Sequence, residues 1–145
     1  MLRSHHFALA LPLVVLLSVA APLGAQTTEP FTGQGEGIIL DQQGNTFFFA
    51  VEGQGEPLGH FGGEGAFVVA DDGDLIGKVM LLNADQDMVF ANFIGQVDDD
   101  GSYAATLIIV GGAGRFAGAS GTADLCGAFF DDGSFSFNFD GTITY

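Results

Sequence analysis

Between Ser134 and Tyr145, Phe135, Phe137, Phe139, Ile143 and Tyr145 alternate with Ser136, Asn138, Asp140, Thr142 and Thr144. Successive side chains of a strand point to opposite faces, so this segment predicts a strand with its rings on the core side. The same device recurs upstream as apolar or alternating runs bounded by glycine and acidic residues at hairpin spacing. Phe31 to Leu40 carries Gly33, Gly35 and Gly37 on one face, which leaves room for rings or for the backbone of a neighbouring strand. Thr46 to Glu52 places Phe47, Phe49 and Val51 on one face and Phe48 on the other. Leu58 to Ala70, Leu75 to Leu82, Met88 to Val97, Ser102 to Val110 and Thr122 to Phe130 complete the set.

Between the runs stand turn clusters: Asp41-Gln42-Gln43-Gly44-Asn45, Asp71-Asp72-Gly73-Asp74, Asn83-Ala84-Asp85-Gln86, Asp98-Asp99-Asp100-Gly101 and Asp131-Asp132-Gly133. Asp and Gly suit turn dihedrals, so hairpins account for their placement. Gly53-Gln54-Gly55-Glu56-Pro57 reads as a further loop, and it echoes Gly33-Gln34-Gly35-Glu36 as if the two were paired strand ends. The four apolar residues that end Ser102 to Val110 predict a strand covered on both faces. About eight strands without a helical period point to an antiparallel barrel or sandwich. Closure would remove the edges that glycine-rich, Phe-rich strands leave open to aggregation.

Ahead of these runs, Arg3 precedes an apolar stretch from Phe7 to Ala21, followed by Pro22 and the small residues Gly24-Ala25. This is the layout of a secretory signal, with cleavage expected after Ala25. The stretch is interrupted by Pro12 and falls short of the ~20 residues that span a bilayer as a helix. The reading is therefore a signal peptide over residues 1–25, a single domain over 26–145, and an exported chain, secreted or periplasmic, without membrane insertion.

Composition narrows the partners. Loss of Arg3 leaves Lys78 and Arg115 as the mature cations against eighteen acids, from a whole-chain charge of −15. Such a surface repels nucleic acid and anionic membranes and favours solubility. Cys126 is the one cysteine, so no intrachain disulfide can form; its apolar neighbours Leu125, Ala128 and Phe129 predict a buried thiol.

The most specific text is Ile108 to Gly121, IIVGGAGRFAGASG. Gly112-Ala113-Gly114-Arg115-Phe116-Ala117 matches the dinucleotide fingerprint in letters. The match fails on context, because Gly118, Gly121 and Thr122 follow where a phosphate-facing helix would have to run. The same residues, Ile109-Val110-Gly111-Gly112-Ala113-Gly114-Arg115-Phe116-Ala117-Gly118-Ala119-Ser120-Gly121, resemble a hallmark of the dirigent and allene oxide cyclase-like barrels, including small exported bacterial members. Ala113 departs from the family's usual Thr. The closing Phe139-Asp140-Gly141-Thr142-Ile143 also looks like the family's last strand. The resemblance implies an eight-stranded antiparallel barrel, a tendency to form homo-oligomers, and relatives that act without a cofactor on reactive apolar molecules in the barrel mouth.

Candidate chemistry is sparse. His60 is the one mature histidine, which excludes a multi-histidine metal site and puts His60 into any acid–base arrangement that needs histidine. A cofactor-free isomerase or cyclase in the lumen would need His60, Glu64 or Asp140 pointing inward. Phe137, Phe139 and, through an anionic group, Arg115 are the candidate ligand contacts. The aspartate turns could supply calcium oxygens, although one turn seldom offers the six to eight that calcium wants and no EF-hand spacing is present. The expected function is thus an exported non-catalytic barrel that binds a small apolar molecule or serves as a structural surface module. The alternatives are a lumenal cyclase, isomerase or dirigent-type protein, and a calcium-dependent adhesion module. No resident cofactor or metal is expected.

Overall fold

The computed structural model describes residues 25–145, and the expected signal segment, apart from Ala25, lies outside them. Eight strands follow in order: β1 (Thr28–Gln43), β2 (Thr46–Glu56), β3 (Gly59–Val69), β4 (Asp74–Asn83), β5 (Met88–Val97), β6 (Ser102–Ala113), β7 (Ser120–Phe129) and β8 (Ser134–Thr144). Each pairs antiparallel with the next, and β8 pairs with β1 to close the barrel. A walk along the register from Thr46 through Val68, Ile76, Ile94, Thr106, Asp124, Asp140 and Thr32 returns to β2 at Glu56. That offset of ten residues is the stagger that makes closed strands tilt against the barrel axis.

Why this sequence closes so tight a barrel is visible in its inward positions. Phe135, Phe137 and Phe139 of β8 face Gly37, Gly35 and Gly33 of β1 across the sheet. A Cβ at Gly33 would run into the Phe139 ring, and one at Gly37 into that of Phe135. Gly65 stands in the same relation to Phe49, and Gly77 to Phe93. Each ring thus fills the volume a missing side chain vacates, and its burial contributes roughly 1.5–3 kcal/mol. The rings also pack on one another, with Phe31 on Phe139 at 4.7 Å and Phe49 edge-on to Phe135 at 5.6 Å between centroids.

Three expectations are corrected by the fold. Gly53 to Glu56 is not a loop but the second half of β2, where it pairs antiparallel with its echo: Gly33 opposite Gly55, Gln34 opposite Gln54, Gly35 opposite Gly53. Glycine is required there because a Cβ at Gly53 or Gly55 would strike the backbone of β1. The end of Ser102 to Val110 is covered on one face only, since Leu107 and Ile109 are buried while Ile108 and Val110 face outward. Cys126 is exposed, because the alternation that buries Ala123 sends position 126 outward, whatever its neighbours in sequence.

Candidate functional site

The lumen, where sequence places a ligand, is filled. A gap of about 60 Å³ remains at its centre, lined by apolar side chains that include Phe49, Phe67, Phe93, Leu107 and Phe137. That is about two waters' worth of volume, against the several hundred Å³ of a small-molecule pocket. Phe137 and Phe139 do point inward, but as packing. Tyr103 brings the one phenol among the buried side chains, and its hydroxyl donates to the Ser136 carbonyl at 2.8 Å. Burial pushes that phenol well above its ordinary pKa, so it stays neutral. Among the described residues no buried side-chain polar atom lacks a hydrogen-bond partner.

The three candidate acid–base groups are elsewhere. His60, Glu64 and Asp140 are all exposed on the outer wall. They occupy outward positions of β3 and β8, next to inward Phe61, Gly63 and Phe139. None of them reaches the lumen: His60 and Asp140 line one open depression on the outer wall together with Glu56, and Glu64 is not part of it.

At one barrel end the glycine-rich stretch forms a single 3₁₀ turn, Gly114–Phe116, not the helix that a dinucleotide loop would open. Phe116 is fully buried there and meets Tyr145 edge-on at 5.0 Å. Arg115 lies over both rings, donates to the Tyr145 hydroxyl at 2.8 Å and approaches Glu29 at 3.7 Å. Its own backbone N–H donates to Asp87 Oδ1 at 2.9 Å. Asn83, buried, accepts the N–H groups of Asp85 and Asp87 at 3.0 and 2.9 Å. Arg115 is therefore engaged in closing the barrel end, together with Asn83, which the sequence presents as a turn residue, and Asp87, which lies between that turn and the next strand. An Asn and an Asp four apart around a tight turn was the available signal.

At the other end lie the four hairpin turns β1–β2, β3–β4, β5–β6 and β7–β8. Asp72, Asp100 and Asp132 each accept the backbone N–H two residues on, from Asp74, Ser102 and Ser134. The Ser102 and Ser134 hydroxyls add a second hydrogen bond and, with the backbone N–H, hold Asp100 and Asp132 below the ordinary aspartate pKa. Among the described residues, no three His, Cys, Asp or Glu side chains gather where one metal ion could be held.

What remains is the outer wall, and it has two sides. On β7, β8, β1 and β2 the outward positions include Asp124, Asp140, Glu36, Glu52 and Glu56, with Asn138, Gln34 and Gln54 between them. Across β3 to β6 Val68, Ile76, Ile94, Ile108 and Val110 are exposed among Glu64, Lys78 and Asn92, and Ile38, Leu40 and Phe48 are exposed on β1 and β2. Ala66, Met80 and Phe90 are half-buried beside them. No family model matches the chain, and no curated protein matches it.

Proposed function

We propose that this chain is an exported, non-catalytic barrel of the dirigent and allene oxide cyclase-like kind, cleaved behind Ala25, which works as a structural surface module through its outer wall. The observation that carries this reading is the filled lumen, whose remaining gap of about 60 Å³ is too small for a metabolite. The groups that lumenal acid–base chemistry would need, His60, Glu64 and Asp140, stand on the outside. Carboxylates at Glu36, Glu52, Asp124 and Asp140 occupy outward positions that a lipid-embedded barrel fills with apolar side chains, which supports a barrel that stays in water. The glycine turn and the closing strand support the family assignment.

The test takes the protein from the exported fraction, where its N-terminus is expected at Gln26, and titrates it with the apolar fluorophore N-phenyl-1-naphthylamine. The expected result is no saturable one-to-one binding. Saturable binding that is lost on filling the central gap with Leu107→Phe would overturn the reading in favour of a ligand carrier.

A further inference from the structure

We infer that the outer wall across β8, β1, β2 and the start of β3 binds a β-1,4-linked polysaccharide that carries amines. This rests on reading the outer wall as the working surface. The register sets Asn138, Gln34, Gln54 and His60 opposite one another on those four strands, all of them exposed. A side-chain amide both donates and accepts hydrogen bonds, as a sugar hydroxyl does. Cys126 donates to Asn138 Oδ1 at 3.1 Å, which leaves the Asn138 N–H groups for a ligand. Two open depressions of about 900 and 590 Å³ meet along this row and share its four residues. Glu36 and Glu52 line the first, Glu56 and Asp140 the second.

Charge selects the class of ligand. No lysine or arginine lines either depression, and the one ion pair among the described residues, Arg115 with Glu29, lies at the barrel end. The four carboxylates therefore stand without a cation of their own. A polyanion is repelled there, whereas an ammonium gains a charge-assisted hydrogen bond. Glu64, Asp74 and Asp124 are exposed as well, so charge by itself does not mark the place; the amide row between the two carboxylate pairs does. Spacing selects the polymer. Residues opposite one another on antiparallel strands are about 5 Å apart. A β-1,4-linked chain of pyranose rings advances by nearly that distance per ring, one ring to each strand, and turns over at every link. Successive 2-amino groups then fall on alternate sides of the amide row, one into each depression. An extended peptide advances about 3.4 Å per residue and loses step with the row.

The test titrates the exported protein calorimetrically with the hexamer of β-1,4-linked glucosamine, in mildly acidic buffer that keeps the amines charged. Saturable one-to-one binding is expected. The fully N-acetylated hexamer has the spacing without the charge, and hexalysine has charge without the spacing; each should bind at least about tenfold more weakly. Gln34→Ala with Gln54→Ala, and Glu52→Gln with Glu56→Gln, should each weaken the glucosamine hexamer by a similar factor while thermal unfolding stays cooperative, since all four side chains are exposed. Glu64→Gln, outside both depressions, should leave its affinity unchanged. Hexalysine that binds as tightly as the sugar overturns the proposal in favour of a basic peptide, and an acetylated hexamer that binds as tightly overturns the role of charge. An equal loss from Glu64→Gln also overturns it, by showing attraction to the whole acidic surface. A protein that binds neither the glucosamine hexamer nor the apolar fluorophore sinks this inference and leaves the outer-wall function standing, whereas saturable binding of the fluorophore strikes the reading beneath it.

Discussion

Gly33 lies beneath the ring of Phe139, and each residue explains the other. The ring occupies the place where a Cβ would go, so the pair is read as one unit of packing. Gly33→Ala should cost about 1–3 kcal/mol by overpacking. In a Phe139→Leu background the same substitution should cost less by roughly 1 kcal/mol, because the obstructing ring is gone. Urea denaturation of the four proteins of that cycle measures the coupling; strictly additive costs would show that the ring does not sit there. At Asp132 the residue scale is electrostatic. The Ser134 hydroxyl and backbone N–H favour its charged form, so its folded pKa lies below the ordinary 3.8. The stability this gives the turn is present above that value and lost as pH falls through the lowered one. Ser134→Ala should raise the Asp132 pKa, followed by carboxyl carbon NMR. The two proteins should differ in stability at neutral pH and converge in acid.

Among the elements, the glycine-rich segment between β6 and β7 changes most between letters and space. Sequence presents it as a turn that restarts a strand, and so it is, but its 3₁₀ residues also plug the barrel. Gly114 and Gly118 take positive φ values of 64° and 75°, which supply the reversal that brings Phe116 inward. Ala113 gives no side-chain cap to the turn. The Asp87 carboxylate from the neighbouring hairpin engages the turn through the Arg115 N–H instead. Phe116→Ala should therefore cost about 3–5 kcal/mol. Arg115→Ala should cost no more than ~1 kcal/mol, since its guanidinium contacts are solvent-exposed. Guanidinium denaturation of both variants separates a ring that holds the turn from a cation that does; equal losses would favour the cation. The Gly-Gln-Gly-Glu echoes show the limit of local reading. Glycine breaks an isolated strand pattern, yet here it is the residue that lets β1 and β2 approach.

Over the whole molecule, the alternation in the closing strand, the aspartate turns and the absence of any helical period determined an all-β chain of about eight strands before any coordinates. They did so because strand periodicity and turn chemistry are local properties, written in residues that follow one another. Which side of each strand faces the core was legible wherever alternation was clean, as at Phe135, Phe137 and Phe139. It failed at Cys126 and at Ile108 to Val110, where runs of apolar residues hid the period. Three matters were decided only by tertiary structure. Closure with a ten-residue stagger sets how narrow the lumen is, and the pairing of rings with glycines from a distant strand fills it. The exposed Val68, Ile76, Ile94 and Ile108 of four consecutive strands come together only when the barrel is built. Each depends on which strand lies beside which, and neighbours across a sheet are set by the register of the entire chain rather than by any stretch of it.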